Sequence, residues 1–381
     1  MKLVKKCFLT FLAFSIILGF AVSAVPNAAA EGETAEMASP SYILTDSATG
    51  TVLLEKNADE RRPMASVTKI MTMLITMEEV DKGNLSLSEK LYASANACAM
   101  GGSQIFLKEN EEMDLKTLIK TVFVASANDS CVVIAERIAG SVEGFVNKMN
   151  ERAKELGLEN THFENPHGLD TENHYSSARD LAVISRELLK HDIKEYTTIW
   201  QDTIRDGAFV LSNTNKLIRF YPDATGLKTG STSKAGFCIS ATAKKGNLEL
   251  IAGTLGAPTS KERFNDAKAL LNYGFSKYKM LRLSDPENSA GEASVDYGKE
   301  KNVSVCPKEI KEQLISSDDK YEIETKTEIY PVKAPVKKGD TAGKMMFYKN
   351  GEEIDSVELV CGNDVMKKSY FDTVGDFLKG I

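Results

Sequence analysis

The chain has 381 residues, 42% of them apolar, 27% charged and 8% aromatic, enough to bury a sizeable core and, at ordinary domain sizes, to hold roughly two domains. A disordered chain and a small disulfide scaffold are thereby excluded. Forty-seven Lys and Arg against 54 Asp and Glu leave a net charge of −7, with no basic block able to track a phosphate backbone, so nucleic acid is not the partner.

In chain order, the first feature is Lys2, Lys5 and Lys6 ahead of an apolar run from Cys7 to Val25 and a small-residue stretch ending at Ala30. This predicts a secretory signal peptide over residues 1–30. Read instead as an uncleaved anchor, the run nearly reaches the roughly 20 residues that span a bilayer. Either way the rest lies outside the cytoplasm. Cys98, Cys131, Cys238, Cys306 and Cys361 then remain; an odd number without framework spacing leaves at least one thiol unpaired within the chain. With no CxxC and no HExxH, zinc is a poor expectation.

From Ser41 to about Lys279 the pattern mixes strands and helices. Tyr42-Ile43-Leu44 and Val52-Leu53-Leu54 flank Asp46-Ser47-Ala48-Thr49-Gly50, a hairpin pattern. Ser66 to Val80 reads as one helix, apolar on most sides and so buried. Leu115 to Val124 is an amphipathic helix with Asp114 as its N-cap; Ser130 to Ala139 is another, stopping at Gly140. Phe237 to Thr254 alternates around Lys245-Gly246-Asn247, as a hairpin of central strands does, and Ala267 to Phe275 reads as a closing helix. After Asp285-Pro286-Glu287-Asn288-Ser289, alternation predicts an all-β unit over residues 282–362, with Asn350-Gly351 as a two-residue turn. Over residues 363–381, Met366, Tyr370, Phe371, Val374, Phe377, Leu378 and Ile381 share one helical face opposite Lys367, Lys368, Asp372, Asp376 and Lys379. That helix suits a membrane interface or docking on its own β-unit.

Three short elements carry chemistry. Ser66-Val67-Thr68-Lys69 opens the buried helix, where residues three apart share a face, so the Lys69 amine can reach the Ser66 hydroxyl beside free backbone N–H groups. S-x-x-K recurs at Ser231/Lys234, Ser276/Lys279 and Ser317/Lys320, but only the Ser66 copy would turn an ammonium towards a core. Ser126-Ala127-Asn128 links two helices and can project a hydroxyl and a carboxamide into a cleft; its copy at Ser94-Ala95-Asn96 reads as a helix cap. Lys228-Thr229-Gly230-Ser231 leads to an apolar strand and offers a cation, a hydroxyl and close backbone approach at an edge where a peptide can lie.

In this order the three elements resemble the S-x-x-K, S-x-N and K-T-G set of penicillin-recognising serine enzymes. The chain is similar to low-molecular-mass penicillin-binding proteins, specifically the exported serine-type D-alanyl-D-alanine carboxypeptidases. Gly101 to Leu107, Asn165 to Leu169, His174 to Asp180, Asn213 to Leu217 and Ala334 to Gly339 extend the resemblance over nearly the whole mature chain. It implies an α+β catalytic domain of the penicillin-binding-protein/β-lactamase type over residues 31–281, an antiparallel sheet with helices. A sandwich-like β-domain over 282–362 and the amphipathic helix would follow.

By the same resemblance, Ser66 is the acylated nucleophile, Lys69 its base, and Ser126 the proton shuttle to the leaving amine. Asn128 holds the substrate amide. Lys228 and Thr229 supply positive potential and a hydroxyl near the terminal carboxylate, which Arg263 helps bind; Gly230 belongs to the same substrate-binding edge, and the N–H groups of Ser66 and Ser231 form the oxyanion hole. Ala127 stands where many members carry Gly, and Ser231 where several carry His. No metal or cofactor is implied. The implied ligands are peptidoglycan stem peptides ending in D-Ala-D-Ala and β-lactams, and the implied location is the outer face of the cytoplasmic membrane. A D,D-transpeptidase is chemically adjacent; a β-lactamase would need a deacylating base, for which Glu143 and Asn147 show a suggestive spacing on an expected solvent-facing helix. A non-catalytic wall-binding protein would have no need of the intact set.

Overall fold

Residues 36–372 are described by the computed structural model; the expected signal peptide and the end of the expected terminal helix fall outside them. Strands β1 (Ser41–Asp46) and β2 (Val52–Lys56) form the first hairpin, with alternate side chains such as Ile43 and Leu44 entering cores on opposite faces. A 3-10 turn (Ala65–Thr68) runs into α1 (Lys69–Asp81), buried from Lys69 through Met77. Then come β3 (Lys90–Tyr92), α2 (Ala95–Cys98) and β4 (Glu112–Asp114), the last pairing with β3. Helices α3 (Leu115–Val124), α4 (Asn128–Ala139) and α5 (Val142–Glu155) follow. The Asp114 carboxylate accepts the Thr117 N–H at the start of α3, and Gly140, at φ +76°, ends α4 as a left-handed cap.

After α6 (Ala178–Leu188) and α7 (Lys194–Thr197), the hairpin β5 (Gln201–Ile204) and β6 (Phe209–Ser212) precedes the turn α8 (Leu217–Phe220). Strands β7 (Ala224–Thr232), β8 (Gly236–Lys245) and β9 (Leu248–Ala257) and helix α9 (Ser260–Lys277) complete the unit. Its antiparallel sheet has the order β2-β1-β9-β8-β7, which leaves one edge of β7 open. On one face of the sheet, α9 buries Leu270 and Leu271 against Leu44 and Leu250. On the other, α1, α3, α4 and α6 share a larger core.

The chain enters the second unit at Tyr278, because β10 (Tyr278–Ser284) pairs with a later strand across the expected boundary at 281–282. The rest comprises β11 (Gly291–Asp296), β12 (Asn302–Pro307), β13 (Lys311–Ser316), β14 (Ile323–Ile329), β15 (Val332–Lys333), β16 (Thr341–Lys349) and β17 (Glu352–Cys361). These form a β10-β13 ribbon and a sheet of order β14-β16-β17-β12-β11-β15. Asn350 and Gly351 take φ +52° and +86°, the turn their sequence demands.

The expected terminal helix starts later than its periodicity suggests. Val365 and Lys367 bridge to Val336 and Gly298, and Val365 is buried in the β-core, so residues 364–369 stay extended and helical backbone begins at Tyr370. Among the described residues no helix is long and apolar enough to cross a membrane, and the five cysteines are free.

Candidate active site

Ser66 sits on the 3-10 turn ahead of α1, not on the α-helix that its sequence context predicts. In a 3-10 turn side chains three apart eclipse one another, and Lys69 Nζ lies 2.9 Å from Ser66 Oγ. Ala65 enters the turn at φ +50°. Lys69 is fully buried; its other two partners are Asn128 Oδ1 at 2.7 Å and the His167 carbonyl at 2.6 Å.

The second wall is the junction of α3 and α4. Ser126, at φ +62°, is 4% exposed, and Lys228 Nζ donates to its hydroxyl at 2.9 Å. Asn128 is fixed on three sides: besides Lys69, its Nδ2 donates to the Gly101 carbonyl and its backbone N–H to the Ser103 carbonyl, both at 2.7 Å.

Strand β7 is the third wall. Lys228 also donates to the Thr229 carbonyl at 2.9 Å, and the Thr229 hydroxyl donates to Thr214 Oγ1 at 2.8 Å. At Gly230 a Cβ would lie 2.7 Å from Ser66 N and 2.8 Å from Val67 N, so only glycine lets the strand pass this close to the turn. Ser231 follows it, exposed, beside the open edge. Arg263 is buried between the rings of Phe237 and Phe264 and donates to the carbonyls of Gly230 (3.1 Å) and Cys238 (3.4 Å). Its guanidinium braces the backbone of β7 and β8.

The two amines are both buried in one interior. Burial pulls the Lys69 pKa down to about 8, and Lys228 falls well below its ordinary value through burial and the charge of Lys69. A neutral Lys69 satisfies every partner: two N–H groups meet the two carbonyl oxygens, and the lone pair faces the Ser66 hydroxyl.

Residues 165–174 contribute what sequence reasoning left without a role. Asn165 Oδ1 accepts the Gly168 N–H at 2.6 Å while Thr72 Oγ1 holds the Pro166 carbonyl, a turn that aims the His167 carbonyl at Lys69. Gly168, at φ +87°, packs where a Cβ would lie 2.0 Å from the Ala65 carbonyl oxygen. Below it, the Thr68 hydroxyl donates to that same oxygen at 2.8 Å. His174 Nδ1 accepts the Glu164 N–H at 3.0 Å, which makes Nε2 the donor to Thr68 Oγ1 at 2.7 Å. Burial lowers the His174 pKa to about 4 and keeps that ring neutral. Asn-Pro-x-Gly marks the turn in the sequence, but a main-chain carbonyl leaves no side-chain signature. Glu143 and Asn147 are exposed on α5, and Ser94 caps α2 through the Ala97 N–H.

A family model described as D-alanyl-D-alanine carboxypeptidase matches residues 27–259, and one described as penicillin-binding protein 5, C-terminal domain, matches residues 275–367. The D-alanyl-D-alanine carboxypeptidase DacF of Bacillus subtilis is 41% identical over 391 residues, covering 98% of this chain and 99% of its own. Among solved structures, penicillin binding protein 5 from Haemophilus influenzae aligns with a TM-score of 0.68 at 30% identity, over 87% of this chain and 99% of its own. Penicillin-Binding Protein D2 from Listeria monocytogenes, in its ampicillin-bound form, aligns at 0.58 and 31% identity over 63% of this chain and 98% of its own.

Proposed function

The chain belongs to the D-alanyl-D-alanine carboxypeptidase family, and on that premise we propose that Ser66 is its acylated nucleophile and Lys69 the base that activates it. The enzyme is a serine-type carboxypeptidase acting on peptidoglycan outside the cytoplasm, and its ligands are stem peptides ending in D-Ala-D-Ala and β-lactams. The peptide adds to the open edge of β7, with its carbonyl carbon beside Ser66 and its terminal carboxylate near Thr229. The Ser66 proton passes to Lys69 as Oγ attacks. Ser126, held by Lys228, relays that proton from Lys69 to the departing D-Ala amine, which returns Lys69 to its neutral form, while Asn128 bonds the substrate amide. The N–H groups of Ser66 and Ser231 receive the oxyanion, where one donor is worth roughly 3 kcal/mol. Water then cleaves the acyl-enzyme, with Lys69 as base again. Arg263 acts on this site by bracing Gly230 and adding positive potential behind the carboxylate.

The observation that carries the reading is the 2.9 Å separation of Lys69 Nζ from Ser66 Oγ, with the amine's other contacts both to carbonyl oxygens. The test is release of free D-Ala from an acyl-D-Ala-D-Ala peptide. Ser66→Ala should abolish it in a protein of unchanged Tm, and retained release would remove Ser66 from the mechanism. The finer location, the outer face of the cytoplasmic membrane, draws support from Met366, Tyr370 and Phe371, which are 71%, 78% and 83% exposed beside Lys367 and Lys368. Deleting residues 363–381 should release the protein from vesicles; unchanged sedimentation with them would reject this anchor.

A further inference from the structure

The loop that aims the His167 carbonyl at Lys69 continues into Leu169 and Asp170, and these two residues reach opposite walls of the cleft. On one side, a Cβ added at Gly102 would lie 3.5 Å from Leu169 Cδ2 and 2.8 Å from Asn128 Nδ2, which puts the Leu169 side chain beside the Asn128 wall. On the other, the Asp170 carboxylate accepts the Thr232 hydroxyl at 2.7 Å through Oδ1 and the Lys234 N–H at 3.4 Å through Oδ2. Thr232 is the last residue of β7, one beyond Ser231. A reciprocal bond closes the contact, from Lys234 Nζ to the Thr171 carbonyl at 3.0 Å.

Each segment is ordered without the other. Within the loop, Asn165 Oδ1 accepts the Gly168 N–H and its Nδ2 donates to the Leu169 carbonyl at 2.9 Å. The turn into β8 is held by strand pairing of Thr232 with Gly236 and by the Ala235 N–H, which donates to the Thr232 hydroxyl oxygen at 3.0 Å. What the bonds between them add is the position of one segment relative to the other. The His167 carbonyl, a partner of the Lys69 amine, lies three residues before Asp170, and the Ser231 N–H lies one residue before Thr232. A link between Asp170 and Thr232 therefore sets base and oxyanion donor against each other across the cleft.

We propose that Asp170 is a positioning residue for acyl transfer: its carboxylate latches the His167 loop to the end of β7 and so fixes the Lys69 amine and the Ser231 N–H about one reacting carbonyl. This rests on the assignment of Ser66 as nucleophile and Lys69 as its base. Both groups serve formation of the acyl-enzyme and its hydrolysis alike, so a loosened latch slows the two steps together. In two-step acyl transfer, KM is the substrate dissociation constant scaled by the ratio of the deacylation rate to the sum of the two rates. Slowing both by one factor lowers kcat by that factor and leaves KM where it was.

The test follows release of D-Ala from an acyl-D-Ala-D-Ala peptide by variants of the full mature chain. Asp170 and Lys234 are exposed, so truncation at position 170 leaves the core untouched. Asp170→Ala should lower kcat about tenfold, with KM within about twofold of the wild type. Asp170→Asn keeps an oxygen for the Thr232 hydroxyl and should recover most of the rate. Thr232→Val should slow the reaction in the same way, and the double variant with Asp170→Ala should be no slower than Thr232→Val alone, because both remove one bond. An unchanged kcat in Asp170→Ala overturns the latch, as do a rise in KM at constant kcat, an asparagine variant as slow as the alanine one, or losses that multiply in the double variant. Release retained in Ser66→Ala removes the nucleophile and the latch with it, whereas an inactive Ser66→Ala beside a full-rate Asp170→Ala removes the latch alone.

Discussion

A lysine held in the interior gives up its proton more easily than one in water, and burial brings Lys69 to about 8 on that ground. Acylation should therefore rise with pH through about 8 and then level, as measured by stopped-flow reaction with a chromogenic β-lactam. Lys69→Arg, which stays protonated, should lower the rate about 10²- to 10⁴-fold at every pH; an arginine variant with an unaltered profile would clear Lys69 of the role. The same shift bears on stability with a definite sign. The folded state holds fewer protons than the unfolded one between pH 8 and the ordinary lysine value, so Tm should climb with pH across that window. His174 acts at the other end of the scale. Its folded pKa of about 4 lies below the ordinary value of 6.5, so its contribution is complete above pH 6.5 and is lost as pH falls towards 4, by roughly 3 kcal/mol. Urea unfolding at pH 7 and pH 4.5 measures this loss, and His174→Gln should shrink it.

At the scale of elements, the decisive contact is β7 against the nucleophile turn. Gly230→Ala should push the strand off Ser66 and slow acylation by at least about tenfold, while Asp114→Ala, which uncaps α3, should cost about 1 kcal/mol of stability and leave acylation alone. Penicillin labelling and thermal melts on the same two variants separate these effects. Helix α3 is legible in the sequence to the residue because a cap, an apolar period and a following break agree there. The 3-10 start of α1 is not, because its letters suit an α-helix equally well and its geometry is set by Gly168 and Thr68 packing under Ala65. Strand β10 escapes the reading for a related reason: its charged positions, Lys279 and Arg282, hide an alternation that only the partner β13 makes plain. Of the site, Ser66, Lys69, Ser126, Asn128 and Lys228 are legible as letters, and the structure brings their side chains together. The His167 carbonyl and the latch at Asp170 depend on loop shape, which short-range pattern does not encode.

Over the whole molecule, the β10-β13 ribbon packs Met280 and Leu314 against the α9 core, so the second unit is tied to the first through a small apolar seam. We propose Lys277/Tyr278 as the working boundary. A chain ending at Lys277 should keep its rate of β-lactam acylation at a lowered Tm, whereas one ending at Ser284 should self-associate through the unpaired edge of β10, as analytical ultracentrifugation will show. The most direct measurement is peptide mapping by mass spectrometry after brief exposure of the full mature chain to penicillin, run beside Ser66→Ala. One adduct on the peptide containing Ser66, persisting for minutes and missing from the variant, is the expected result. An adduct on any other serine, or an equal adduct in the variant, contradicts the convergence of the three segments on Ser66 as the chemical centre of the protein.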